Sequence, residues 1–286
     1  MKYPYNSSIY LAEVALNVSD LKAQTAFYHQ IIGLEILEEG DGQVLLGAGQ
    51  KPLVRLIQAG IETPVKEAYG LYHMAILLPT RQALGDIFKH IAELKIPFVG
   101  GADHGYSEAL YLEDLEGNGI ELYRDKPVDV WDIREDGRIV GVTEELQAQD
   151  IYDMGREKNP FVIDPDTRMG HVHLSVKNSQ TSSQFYQVVL GVSDKFSIPN
   201  ASWLASGDYH HHLAVNEWGG PHLASRVPQQ KGLAYYVVHV HSKQDLLRIH
   251  QVAEEAKSAT EWKSSNQLWI TDPDGIVTAV QVDFNN

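Results

Sequence analysis

Residues 12–18, AEVALNV, alternate apolar and polar positions with the two-residue period of a half-buried strand. The next stretch, LKAQTAFYHQII (21–32), has helical spacing; Asp20 or Ser19 can cap it and Gly33 can end it. Strand-like GQVLLGA (42–48) and KPLVRLIQAG (51–60) close this first unit. A second unit runs from the strand LYHMAILLP (71–79) through the helix RQALGDIFKHIAEL (81–94). It ends in the hairpin EALYLEDLEGNGIELYR (108–124), turning on Gly117-Asn118-Gly119. A third has GHVHLSV (170–176), a helix over SSQFYQVVL (182–190) and HHHLAVNEW (210–218). The fourth has GLAYYVVHVH (232–241), KQDLLRIHQVAEEA (243–256) and the hairpin LWITDPDGIVTAVQV (268–282).

Four strand–helix–strands units predict an α+β protein with curved, mostly antiparallel sheets. Residues 1–125 and 168–286 each hold a pair of units, and the charged, irregular stretch 126–167 reads as their connection. Some helix is expected there near TEELQAQDIYDMG. The two halves are a repeat: AEVALNVSDLKAQTAFYHQIIGLE (12–35) returns as GHVHLSVKNSQTSSQFYQVVLGVS (170–193), offset by 158 residues. The same offset relates YLEDLEGNGIELY (111–123) to ITDPDGIVTAVQV (270–282, allowing a one-residue slip). Polar positions have diverged between the copies. His171 stands where the first copy has Glu13, and Ala279 where it has Glu121.

Composition narrows the chemistry. The 286 residues suffice for more than one full core, and no apolar run approaches a membrane span. The start shows no signal-peptide pattern, which together with the absence of cysteine points to the cytoplasm. Without cysteine there is no disulfide framework, thiolate metal site or thiol nucleophile. A formal charge of −15 argues against nucleic acid or an anionic membrane as partner. No glycine-rich phosphate loop or serine nucleophile elbow is present. The 13 histidines are the residues to trace, as ligands and as acid–base groups.

The V-S-D-L…F-Y…I-G-L entry of unit one and its counterpart in unit three, with the D-L-E-G-N-G and D-P-D-G hairpins, resemble the vicinal oxygen chelate superfamily. That group contains glyoxalases, fosfomycin- and bleomycin-resistance proteins and extradiol ring-cleaving dioxygenases. The resemblance covers nearly the whole chain. It implies that two units pair into a cupped sheet holding a metal, with ligands from the first strand of each unit and the last strand of one. Those positions are Glu13 in unit one, His73 and Glu121 in unit two, His171 in unit three, and Tyr235 and Ala279 in unit four. Unit four is empty. Units one and two together would supply Glu13, His73 and Glu121; units two and three would supply His73, Glu121 and His171, a two-histidine, one-carboxylate set suited to Fe(II), or Mn(II) in its place.

The resemblance to the extradiol dioxygenases favours the middle pair. It implies a tyrosine ten residues before the carboxylate, where Tyr111 stands, and a histidine in the preceding loop, where His104 stands two residues closer than usual. It also implies an acid–base histidine in a His-x-x-Ala pattern, met by His211 in unit three and by nothing in unit one. Alternation along a strand would put His210 and His212 on one face and His211 on the other, so His211 and His212 compete for the inward position. The resulting expectation is an Fe(II)-dependent extradiol dioxygenase that cleaves a catechol-type, or hydroquinone-type, ring with O₂. His211, Tyr111 and His104 act on a small aromatic diol flanked by His212, Asn216 and Trp218. A homo-oligomer is left open.

Two other readings stand beside it. A glyoxalase-like lyase or isomerase would hold its metal with four protein ligands, drawing on Glu13 or His212. A resistance-type binding protein would keep the pocket without catalysis. Residue by residue, a lone His73 on an apolar strand would be a core histidine, and Glu121 an outward edge residue. His90, His239, His241 and His250 have no partner in the repeat and read as structural.

Overall fold

The computed structural model describes residues 3–59 and 67–283. Unit one comprises β1 (Ile9–Val18), α1 (Leu21–Ala26), β2 (Glu35–Gly40), β3 (Gln43–Ala48) and β4 (Lys51–Gln58). Unit two comprises β5 (Gly70–Leu77), α2 (Arg81–Glu93), β6 (Gly100–Asp103), β7 (Ser107–Glu113) and β8 (Gly119–Asp125). The connection carries the short strands β9 (Asp132–Ile133) and β10 (Ile139–Val140) and the helix α3 (Ala148–Met154). Unit three comprises β11 (Arg168–Ser175), α4 (Ser179–Leu190), β12 (Ser193–Ile198), β13 (Ala201–Ala205) and β14 (Leu213–Asn216). Unit four comprises β15 (Gly232–Val240), α5 (Lys243–Glu255), β16 (Thr260–Ser264), β17 (Gln267–Thr271) and β18 (Val277–Val282). The last two residues of the segment 51–60 do not join β4, and residue 60 lies outside the described residues.

Local chemistry sets the helix ends. Asp20 accepts from the Ala23 N–H and Thr80 from that of Ala83, capping α1 and α2. Helix α4 begins three residues earlier than its apolar spacing suggests, because Asn178 accepts from the Thr181 N–H and starts it there. Beyond α1 the chain widens into one π-helical turn over Phe27–Ile31, after which Gly33 turns it with φ +80. A Cβ at Gly33 would lie 2.7 Å from the Phe161 ring, so glycine is required there by both backbone and packing.

Two curled, mixed eight-stranded sheets result, and each takes one unit from each half of the chain. One sheet has the order β16-β17-β18-β15-β1-β4-β3-β2, pairing units four and one. The other has the order β12-β13-β14-β11-β5-β8-β7-β6, pairing units three and two. At each junction the two opening strands run antiparallel, β1 with β15 and β5 with β11. A single apolar cluster draws on all four units, from Leu16 and Ile76 to Leu174 and Val238. No helix among the described residues is long and apolar enough to cross a membrane.

Consecutive units are tied by a repeated polar link. The Tyr28 hydroxyl, in the helical segment of unit one, donates to Asp114 Oδ2 in the unit-two hairpin at 3.0 Å. At the same offset Tyr186 donates to Asp272 Oδ2 at 2.8 Å. Each aspartate also organises its turn, Asp114 accepting from Glu116 and Asn118 and Asp272 from Asp274 and Ile276.

Candidate metal centre and cavity

Register in the second sheet brings the ligands together. His173 on β11 lies opposite His73 on β5, and in the same unbroken antiparallel register His171 lies opposite Ala75. Parallel pairing of β5 with β8 puts Glu121 beside Ala75, and antiparallel pairing of β7 with β8 puts Tyr111 opposite Glu121. Alternate residues share a sheet face, so His73, His171, His173, Glu121 and Tyr111 line one cavity of about 630 Å³.

The ligand atoms of His73, Glu121 and His171 all lie within 4.8 Å of one another, and all three residues are buried. His73 Nε2 is 2.9 Å and His171 Nε2 3.1 Å from the same oxygen, Glu121 Oε2. His73 Nε2 makes no aligned hydrogen bond although it is buried. Two imidazole nitrogens crowded on one carboxylate oxygen, one of them unsatisfied, form a donor set that a divalent cation completes. The residues fit such an ion. Burial works against ionising Glu121, but the neighbouring His171 and His73 override it and hold the carboxyl well below its usual range. Burial pushes His171 down to about 4 against the pull of Glu121, so at neutral pH its imidazole is uncharged. A neutral imidazole beside an ionised carboxylate is the protonation state that metal binding needs.

Around this cluster, Tyr111 is kept protonated first by burial and then by the Glu121 charge. Its hydroxyl lies 2.7 Å from His104 Nε2. His104 Nδ1 is 2.8 Å from the Val142 carbonyl and must donate to it, so in the neutral ring Nε2 accepts from Tyr111. The connection therefore enters the site. Its residues Gly141, Val142 and Thr143 line the cavity, and Asp103 and Glu144 exchange backbone hydrogen bonds that hold it there.

A sequence profile described as the Glyoxalase/Bleomycin resistance protein/Dioxygenase superfamily matches residues 10–122. A relative, the catechol-2,3-dioxygenase of Bacillus subtilis (strain 168), is 31% identical over 263 residues, 90% of this chain and 92% of its own. The chain belongs to this superfamily. Solved structures share its fold. One from Bacillus subtilis subsp. subtilis str. 168 has a TM-score of 0.65 at 11% identity, covering 96% of this chain and 85% of its own. Glyoxalase I from Zea mays has a TM-score of 0.57 at 14% identity, covering 96% and 93%.

Within this glyoxalase/dioxygenase fold, His73, Glu121, His171, Tyr111, His104, His211 and Trp218 all reach the one cavity. Residues 210–212 form a bend before β14 rather than a strand, so strand alternation does not apply to them; the bend still turns His211 inward. Two residues expected to flank the diol are placed elsewhere. His212 is absent from the cavity lining and packs on Tyr209, ring centroids 5.0 Å apart. Asn216 is also off the lining; its Oδ1 accepts from the Trp218 N–H at 2.9 Å and shapes the turn that presents Trp218. Glu13 lies on the other sheet, where Arg55 Nε contacts it at 2.7 Å. His90 and His241 are stacked on Phe161 and Tyr3, consistent with packing roles.

Several lining residues carry no signal in the pattern of the chain. Tyr72, Trp203 and Phe196 form an aromatic wall with Trp218 around His173, and Tyr106 closes the side nearest the connection. The position of His173, two residues after His171 on the same strand face, was the one available signal for that wall.

Proposed function

We propose that the protein is an Fe(II)-dependent extradiol dioxygenase that opens a catechol-type ring, with His73, Glu121 and His171 as the metal ligands. The observation that carries this reading is the meeting of two histidines and one buried carboxylate within 4.8 Å, in the same cavity as Tyr111, His104 and His211. The likeness to a catechol-2,3-dioxygenase over nine-tenths of the chain supports the same class of substrate.

When bound, Fe(II) supplies Lewis acidity toward the diol and a point of contact for O₂. The protein's own groups do the rest. Tyr111, fixed by His104, meets the diol oxygens and sets the ring plane. His211 takes the diol proton at its cavity-facing nitrogen and returns it later; burial and the neighbouring His171 keep its imidazole neutral beforehand. The apolar and aromatic walls, including Leu112, Phe196, Ile198 and Trp203, exclude water and accept a flat ring. The four-ligand lyase reading finds less support. Among the described residues the ligand cluster has three members, with Glu13 paired to Arg55 and His212 outside the cavity.

The test is anaerobic reconstitution with Fe(II) followed by oxygen uptake with catechol. Stoichiometric uptake with a yellow ring-fission product is expected. Metal-loaded protein that consumes no oxygen with any catechol or hydroquinone overturns the proposal.

A further inference from the structure

His211 meets its sequence neighbour in an unusual way: His210 Nδ1 and His211 Nδ1 are 2.7 Å apart. On its other side, His210 Nε2 lies 2.9 Å from Asp125 Oδ1. Asp125 also accepts the Tyr5 hydroxyl at Oδ2, 2.9 Å away, and the Tyr209 hydroxyl at Oδ1, 3.3 Å away. The His210 ring has no room to turn. It is 1% exposed and lies between Tyr106, with centroids 4.2 Å apart and planes 11° apart, and Tyr209, at 4.0 Å and 34°.

With the His210 ring neutral, these contacts assign the protons. A carboxylate only accepts, so His210 Nε2 carries hydrogen, and in a neutral ring Nδ1 then holds a lone pair. The facing nitrogen must donate, which puts the single proton of neutral His211 on Nδ1. Its Nε2 is left as a lone pair, and His211 lines the cavity with its ring 4.0 Å from that of His171.

We propose that Asp125 and His210 are positioning residues that lock His211 in the Nδ1–H tautomer, so that Nε2 faces the bound diol as a base. This rests on the reading of His211 as the proton acceptor in ring cleavage. It assigns a role to two residues that touch neither metal nor substrate. It also explains why the bend places two histidines in succession: a regular strand would send the rings to opposite faces and break the chain of hydrogen bonds.

The test uses the full chain, labelled with ¹⁵N-histidine and loaded with diamagnetic Zn(II), and reads tautomers from two-bond nitrogen–proton correlations. His211→Gln assigns the His211 signals. Wild type should show His211 as Nδ1–H. In His210→Phe, which keeps the stack between the tyrosines, the proton should move to Nε2, with kcat on catechol down ~10–100-fold and KM changed less than about threefold. His210→Gln should restore much of the rate, because its amide can donate to Asp125 while its carbonyl accepts from His211 Nδ1–H. An Nε2–H or doubly protonated His211 in wild type overturns the inference, as does an equal loss in the Phe and Gln variants. If His211 is Nδ1–H and no diol is cleaved, the lock stands and the dioxygenase reading falls.

Discussion

A carboxylate buried as deeply as Glu121, 3% exposed, must be compensated, and burial keeps the imidazole of His171 beside it neutral. A cation shared by all three ligands resolves this, and it divides two residues that the repeat makes equivalent. His171→Ala is expected to abolish Fe(II) binding, whereas Glu13→Gln, on the other sheet, should leave metal content unchanged; metal analysis after reconstitution checks both. Iron retained in His171→Ala would move the site elsewhere. Tyr111 belongs to a different class, since its hydroxyl is spoken for by His104 and not by the ligand cluster alone. Tyr111→Phe should therefore cut turnover about tenfold or more while iron content stays at the wild-type level. A parallel fall in iron would make Tyr111 a ligand.

At the level of elements, the repeated Tyr–Asp link gives physical content to two fragments of the sequence signature, F-Y and the aspartate opening each hairpin. Each tyrosine crosses from one sheet's helix to the other sheet's turn, and both partners are buried. Tyr28→Phe and Tyr186→Phe should each cost about 1–3 kcal/mol of unfolding free energy in urea titrations, because a buried aspartate loses a donor. A neutral result at both would make the links incidental. Elements with strong local chemistry, such as the capped helices and the glycine-turned hairpins, were legible in the sequence. The bend at 210–212 was not: its conformation depends on His210 wedging between its neighbour Tyr209 and Tyr106, which a distant segment contributes. The connection was legible as a connection but not as part of the cavity wall. Gly141 shows why, since a Cβ there would lie 2.8 Å from the Tyr106 ring, a fit that only the tertiary structure defines.

Across the whole molecule, the sheet partners of the four units were decided by chemistry rather than by chain order. Sequence periodicity alone fits units one and two side by side equally well; the histidines and the carboxylate select units two and three. In the other sheet the corresponding first-strand position keeps a carboxylate, Glu13, but an arginine answers it. Burying so many histidines has a consequence for the protein as a whole. Burial depresses His171 to about 4 and His212 to about 3, and pushes His173 and His211 well below 6.5. These groups stay neutral in the folded chain while the unfolded chain takes up protons as pH falls below 6.5. Their contribution to stability is thus present above 6.5 and lost progressively toward their folded values. Asp272, raised to about 6 by burial, works in the opposite sense by one proton over the lower part of that window. Asp274, also raised by burial, adds to that opposing sense, but four histidines outweigh two carboxylates, so the unfolding free energy of the metal-free protein should fall from pH 6.5 to 5. Each histidine contributes up to about 1.4 kcal/mol per pH unit. His212→Phe, which preserves the packing on Tyr209 and touches neither cavity nor ligands, should flatten the slope by close to one proton. Urea midpoints measured at several pH values decide it: an unchanged slope in that variant would mean that His212 is protonated in the folded state.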